Sequence, residues 1–352
     1  MNKRFFTKQL MHWHENANTR SLPWKQEKDP YKIWLSEIIL QQTRAAQGLP
    51  YYLKFTEAFP TVKELAKAKD EKVFRLWQGL GYYNRCKNML ATARHIANDL
   101  KGIFPHTYGG LLELKGIGPY TAAAIASFAY GLPHAVVDGN VYRVLARYFG
   151  METPTDSTEG KKLFTALADE VLDRTDSAAY NQAIMDLGAT VCTPALPMCE
   201  ECPLRKNCVA YKETTISLLP VKSKKLQVKK RYFHYILLQD RDKVWLRKRS
   251  GRDIWENLYE PYLIESNRTL TPQKLQKDEK YLALKLNGNK LKYDGEDRQK
   301  LTHQLIESRF YSLKMPEKPP FPKDGKWVKI NDLKKYAFPK TVLSFLEKKL
   351  YF

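Results

Sequence analysis

At 352 residues the chain is longer than a single ordinary core requires, so two domains are expected, each burying its own apolar interior. Its 59 lysines and arginines against 38 aspartates and glutamates leave a formal charge of +21, which favours a polyanionic partner, nucleic acid first, and salt-sensitive binding. The opening MNKRFFTKQLMHWHE has no apolar segment of signal-peptide length, and the longest apolar stretch, Tyr120 to Leu132, is too short to span a membrane, so a soluble cytoplasmic protein without a membrane partner is expected.

From Tyr31 to about Ala210 apolar residues recur at spacings of three and four, as in Ile33, Trp34 and Ile38 around Glu37, which predicts a mostly helical region. Breakers and capping residues punctuate it: Pro60-Thr61 before VKELAKA, Pro105-His106-Thr107 before YGGLLEL, and Asp156-Ser157-Thr158 before EGKKLFTALADEVL. After Cys208 the lysine-rich LLPVKSKKLQVKKR shows no amphipathic period, and residues 213–230 read as a basic linker. Beyond it, RYFHYILLQ and KVWLRKRS flank Asp240-Arg241-Asp242 as a hairpin. YEPYLIE, NKLKY and RFYSLKM add strands, and LTPQKLQKDEKYLALKL a helical stretch, so the second domain is α+β.

Two patterns carry chemistry. Cys192, Cys199, Cys202 and Cys208 follow a C-x6-C-x2-C-x5-C spacing in one short loop, where four thiolates can wrap a cubane cluster or a tetrahedral zinc ion. Cys86 stands apart in a helical pattern and reads as a buried, inert thiol. In LKGIGPYTAAAIASFAYG, residues 114–131, Gly116 and Gly118 form a tight turn between two helices, able to present backbone N–H groups to a phosphate.

The hairpin, VDGNVYRVLAR around Asp138 and the cysteine loop, in this order and spacing, resemble the endonuclease III and MutY superfamily of base-excision glycosylases over residues 5–212. The resemblance implies a [4Fe-4S] cluster on the four cysteines, with zinc as the minor alternative, and it implies duplex DNA as partner. Members that cleave the strand after base loss carry a lysine two residues past the second hairpin glycine. Tyr120 stands there instead, and a phenol forms no Schiff base, so simple hydrolysis is expected. Lys115, just before the turn, is expected to serve the phosphate.

DPYKIWLSEIILQQTR, residues 29–44, resembles the MutY signature and sets Glu37 in an apolar helix, where burial would raise its pKa until it can protonate adenine N7. Asp138 is the second carboxylate, stabilising the positive deoxyribose or briefly bonding to it, with Tyr120 and Asn140 implied as its helpers. Gln42 and Thr43, with Leu80 and Tyr82 of GLGYY, match the superfamily's probes of the disrupted stack and of the base opposite, as flipping the adenine requires.

Residues 231–352 resemble the Nudix-like lesion-reading domain of MutY, without an acidic hydrolase helix. Where many members carry Phe-Ser-His, this chain has Leu301-Thr302-His303, keeping a hydroxyl and an imidazole and losing the aromatic ring. The expected molecule is a monomeric adenine glycosylase acting opposite 8-oxoguanine or guanine, its helical core spanning residues 1–212 and the α+β reader following the linker. Within the core, Tyr31 to Tyr130 should form one lobe, and residues before Asp29 and after about Val136 the cluster lobe. Two rivals remain: a thymine-mismatch or oxidised-pyrimidine glycosylase, and a catalytically silent DNA-binding iron-sulfur protein.

Overall fold

The computed structural model describes residues 3–223, 227–251, 253–284, 291–314 and 324–351. The chain divides into two compact units, one formed by Met1–Ala66 with Ala91–Lys225, the other by Lys67–Leu90 with Leu226–Phe352.

The first unit is helical, as the three-and-four periodicity leads one to expect. Its elements are α1 (Lys3–Asn16), α2 (Pro30–Leu40), α3 (Ala45–Ala58) and α4 (Val62–Lys67), whose last residue belongs to the second unit. α5 (Asp70–Trp77) lies wholly in the second unit, and α6 (Tyr83–Asn98) is shared by both. Then come α7 (Tyr108–Leu112), α8 (Pro119–Tyr130), α9 (Gly139–Phe149), α10 (Thr158–Val171), α11 (Ser177–Thr190) and the short α12 (Val209–Lys212). Two of the capping residues read from the sequence close helix N-termini: Thr107 Oγ1 accepts the Gly110 N–H at 3.1 Å, and Ser157 Oγ accepts that of Gly160 at 2.9 Å.

One core of this unit gathers Phe6 and Leu10 of α1 with Val144 and Tyr148 of α9, Phe164 of α10, Leu187 of α11, and Leu204 and Leu219. The N-terminal helix thus packs where the cluster lobe was expected. The fully buried Asp186 of α11 fixes the segment that follows α1, accepting from Asn18 and Arg20, each at 2.8 Å, and from Lys25. Leu219 belongs to this same core, so the beginning of the expected linker is packed rather than loose.

The second unit centres on a mixed sheet of β1 (Lys229–Asp240), β2 (Lys243–Lys248), β3 (Tyr259–Glu260), β4 (Tyr262–Ser266), β5 (Lys292–Lys300), β6 (Gln304–Lys314) and β7 (Gly325–Lys329). The order is β3-β2-β1-β6-β5, with β4 also pairing β1 and β7 pairing β2. β1 runs parallel to β6, from Lys229 opposite Gln304 to Gln239 opposite Lys314. The hairpin read at Asp240-Arg241-Asp242 is present, with Asp240 opposite Lys243. On one face Ile236, Leu238, Tyr311 and Leu313 pack with Leu275, Tyr281 and Leu284. On the other, Phe345 of the C-terminal helix α15 (Lys340–Leu350) stacks on Phe310 with ring centroids 4.3 Å apart.

The long helical stretch read over 270–286 is interrupted. Thr271 and Asp278 each cap a new short helix, α13 (Pro272–Leu275) and α14 (Glu279–Leu282), because their side chains accept the N–H groups of Lys274 and Lys280. Lys285 and Leu286, Asn289-Lys290 of NKLKY, Met315 of RFYSLKM and 224–226 of the linker lie outside the described residues. Residues 67–90, read within the helical region, join this unit: Gln78 Oε1 accepts the Phe338 N–H at 3.1 Å, and Lys87 pairs with Glu256 at 2.9 Å. No helix among the described residues is long and apolar enough to cross a membrane.

Candidate active site

Glu37 projects from α2, a helix whose face around it is almost wholly apolar, and it is 5 % exposed. Burial pushes its carboxyl up to about 7, and the hydrogen bond from Tyr120 only partly offsets that push, while the nearby Asp138 adds to it. Tyr120 lies in the first turn of α8, which packs against α2. Its own phenol is held well above the ordinary range by burial and by the two carboxylates. The structure therefore brings Glu37, Tyr120 and Asp138 together from segments separated by up to a hundred residues in sequence.

Asp138 is the N-cap of α9, and its environment differs from that of Glu37. Its Oδ1 accepts the backbone N–H groups of Asn140 and Val141, both at 2.8 Å, and its Oδ2 accepts the Asn140 amide at 2.7 Å. Burial raises its pKa on balance, and these three donors and the Arg143 charge offset only part of that push. Burial thus raises both carboxylates, and only at Asp138 do backbone donors and a cation oppose it.

Arg143 and Gly188 escaped the sequence reading. Arg143 is 8 % exposed and spends its guanidinium on Asn140 Oδ1 at 2.9 Å, Cys192 O at 2.6 Å, Gly139 O and Gly188 O. It thereby ties Asp138's partner Asn140 to the first cysteine of the loop. A Cβ at Gly188 would stand 2.7 Å from Asn140 Cβ, so the close packing of α11 on α9 admits a side chain there only if one of the helices shifts. The available signal was Arg143 and Arg147 four residues apart in an otherwise apolar helix, since buried arginines demand acceptors.

The four cysteines line one small cavity with Arg147, Val191 and Ile216, of about 30 Å³. Arg147 donates to Thr193 O at 2.7 Å, to Pro194 O at 2.9 Å and toward Cys192 Sγ at 3.5 Å. Burial, reinforced by the neighbouring cysteines, pushes the Cys202 thiol up to about 12 and raises Cys199 and Cys208 as well. Among the described residues no group of three or more His, Cys, Asp or Glu side chains is drawn into ligand geometry. The donor set nonetheless fits a thiolate-bound cation, because four sulfurs facing one cavity ionise together only when a positive group neutralises them. Cys86 is fully buried, as read.

In the hairpin, Gly116 has φ +80°, a conformation that favours glycine, and Lys115 and Gly116 are exposed while Ile117 anchors the turn in the interior. Gly118 caps α8 without a side-chain bond, leaving the helix's first turn open to an anion. After α2, Gln42 is exposed with φ +56°, and Thr43 is partly buried.

In the second unit, Leu80 is buried and Tyr82 is 46 % exposed. Leu301-Thr302-His303 form the turn between β5 and β6 rather than part of a strand, with Thr302 and His303 exposed and Leu301 N–H donating to Gln304 O. Tyr82 and Thr302 are hydrogen-bonded through their hydroxyls, and both line an open pocket with Trp255, Gln299, His303 and Lys340.

This architecture of helix–turn–helix, a buried glutamate near a half-buried aspartate and a thiol loop defines a DNA glycosylase of the helix-hairpin-helix class, and the model for the HhH-GPD superfamily of base excision DNA repair proteins matches residues 35–168. That for the NUDIX domain matches residues 234–348. The adenine DNA glycosylase of Buchnera aphidicola subsp. Acyrthosiphon pisum is 35 % identical over 259 residues, covering 74 % of each chain. That of Homo sapiens is 40 % identical over 214 residues, 58 % of this chain and 39 % of the human one. A thermostable thymine-DNA glycosylase superposes with a TM-score of 0.56 at 29 % identity, over 60 % of this chain and 97 % of that one. An endonuclease III from a DNA complex shares the fold, with a TM-score of 0.53 at 19 % identity over 61 % of this chain and 99 % of that one. The chain belongs to the adenine DNA glycosylase family, enzymes of base-excision repair that hydrolyse N-glycosyl bonds.

Proposed function

We propose that this enzyme removes adenine mispaired with 8-oxoguanine, or with guanine, from duplex DNA by hydrolysis alone. The observation that carries the reading is the pairing of Glu37, buried, without backbone donors and raised to about 7, with Asp138, also raised by burial but held by three N–H donors that partly offset it. Glu37 enters protonated and gives its proton to N7 of a flipped adenine, making the base a neutral leaving group. As the bond from C1′ to the base breaks, the Asp138 carboxylate faces the developing positive charge, and water adds at C1′ while its released proton returns to the Glu37 carboxylate. Tyr120 orients Glu37, and Asn140 orients Asp138. With Tyr120 in the place of a lysine the usual amine nucleophile is missing from its position, and the abasic strand is left intact.

Gln42, Thr43, Leu80 and Tyr82 are assigned to the broken stack and the base opposite. Lys115 and the turn of Gly116 and Gly118 are assigned to a phosphate, and Thr302 and His303 to the lesion. Cys192, Cys199, Cys202 and Cys208 hold the [4Fe-4S] cluster, which supplies an internal cross-link and a redox centre when bound. Arg147 and Arg143 hold the loop carrying it against α9.

The test is single-turnover excision from duplexes with adenine opposite 8-oxoguanine, guanine and thymine, with and without hot alkali before electrophoresis. Breaks seen only after alkali, formed fastest opposite 8-oxoguanine, are expected. Breaks without alkali would refute simple hydrolysis, and excision of thymine or oxidised pyrimidines in place of adenine would return the chain to its thymine-glycosylase likeness.

A further inference from the structure

The position of Tyr82 needs a physical cause. The residue sits in the left-handed region, at φ +49°, next to Gly81 at φ +79°, and nearly half of it is exposed. A ring left this exposed on a strained turn is not fixed by burial alone, yet a ring that reads one base against another must be held to within fractions of an ångström.

Arg85 meets this need. Its guanidinium carbon lies 5.2 Å from the centroid of the Trp77 ring and 5.4 Å from that of Tyr82, placing the cation against both aromatic side chains. Trp77 is fully buried, and its indole N–H donates to Gly81 O at 2.9 Å, so this partner is rigid. Arg85 Nη2 points at the same carbonyl, 3.4 Å away. The backbone N–H of Arg85 also binds Tyr82 O at 2.9 Å, where α6 begins. Burial lowers the guanidinium's pKa to about 10, which leaves it charged at neutral pH. The Tyr82 hydroxyl meanwhile meets Thr302, so the ring is held at its face by a cation and at its tip by the reader turn. Arg85 itself lines the same pocket as Thr302 and His303.

From this geometry we infer that Arg85 is a positioning residue for discrimination of the base opposite the excised adenine, acting through Tyr82 by fixing the plane of its ring against the Trp77 wall. The inference rests on the lesion-reading role assigned to Tyr82 above. Lysine is a poor substitute, because a flexible ammonium cannot stack between two planes or hold the Gly81 carbonyl as a planar fork does.

The experiment compares the wild-type chain with Arg85→Met, Arg85→Lys, Tyr82→Leu and the Arg85→Met/Tyr82→Leu pair, all first shown to melt as cooperatively as wild type. Two readouts are taken. The first is the ratio of single-turnover rates on adenine opposite 8-oxoguanine and opposite guanine, with enzyme in saturating excess. Arg85→Met should lower this ratio about fivefold, the scale of one cation–π contact, while leaving the slower rate nearly unchanged. Arg85→Lys should recover only part of it, and the pair should be no worse than Tyr82→Leu alone. The second is the ¹⁹F resonance of a fluorotyrosine placed at position 82 in DNA-free protein, expected to broaden or shift in Arg85→Met.

Equal loss on both mispairs, or additive effects in the pair, would show a general DNA contact and overturn the inference. A ¹⁹F line unmoved by Arg85→Met would overturn it too. If wild type itself shows no preference for 8-oxoguanine, the lesion-reading assignment fails, and the ¹⁹F line still decides whether Arg85 positions the ring.

Discussion

The carboxylate site and the reading turn are secured by opposite means. Glu37 is 5 % exposed and Asp138 is clamped by backbone donors at a helix N-terminus, whereas Tyr82 is 46 % exposed and Thr302 and His303 sit on a hairpin turn. Chemistry at C1′ gains from groups fixed and desolvated before the substrate arrives. Recognition of a partner base needs surface that DNA can reach, and it gains less per contact. Mutation should therefore separate the two regions by magnitude. Glu37→Gln and Asp138→Asn should each lower the excision rate by on the order of a thousandfold or more while duplex affinity, measured by gel shift, stays within a few-fold. Substantial turnover in either variant would remove that carboxylate from the mechanism.

The comparison sharpens when pH is varied. With Glu37 as the proposed acid and its pKa raised to about 7, the single-turnover rate should be level below that value and fall by about tenfold per pH unit above it. The same shift bears on stability. The pKa is raised from 4.5 in the unfolded chain to about 7 in the folded one, so the folded state holds the extra proton between these limits. Stability from this group is complete below 4.5 and is lost as pH rises through 7. Glu37→Gln cannot ionise, and at pH 8 it should be more stable than wild type by up to about 3 kcal/mol, a gain that shrinks as pH falls and vanishes near pH 4. A Glu37→Gln melting temperature that tracks wild type at both pH values would refute the raised pKa. No comparable effect is expected from the exposed residues of the reading turn.

A third effect tests what lies behind Asp138. Arg143→Met would strip Asn140 Oδ1, Cys192 O and Gly188 O of a buried donor, and excision should fall by roughly 10- to 100-fold through misplacement of Asp138. Gly188→Ala pushes Asn140 from the other side and should act in the same direction, less strongly, because α11 can shift by a few tenths of an ångström. If both variants excise normally while iron content drops, Arg143 serves only the cysteine loop.

How much of this was legible depended on whether the physics was local. Helix periodicity, the caps at Thr107 and Ser157 and the hairpin at Asp240 are set by neighbours in sequence, and the structure carries all of them. The two carboxylates were read mainly through family resemblance, Glu37 from a signature segment lying in an apolar helix and Asp138 from VDGNVYRVLAR, and their closeness in space depends on packing that the sequence does not display. Arg143 and Gly188 were not, because their roles exist only once α9 and α11 pack together. Thr271 and Asp278 misled in the opposite sense: a helical composition over 270–286 concealed two residues whose side chains start new helices. The grouping of 67–90 with the C-terminal sheet depends on contacts such as Gln78 to Phe338, separated by 260 residues.

The smallest effect is the most informative about the departure from Phe-Ser-His. Thr302 presents a hydroxyl that already binds Tyr82, so Thr302→Val removes both that bond and any hydrogen bond to the lesion, at nearly constant volume. His303 is exposed, and its backbone carbonyl, not its side chain, accepts from Lys229 at 2.9 Å. His303→Ala therefore costs the turn little, and whatever discrimination it loses belongs to the imidazole. Thr302→Val should reduce preference for 8-oxoguanine over guanine by about three- to tenfold, one neutral hydrogen bond's worth, and His303→Ala by less. Equal loss in both would place the reading on the turn as a unit. Loss in His303→Ala alone would mean that the threonine hydroxyl serves Tyr82 and not the base, leaving the imidazole as the group that recognises the lesion.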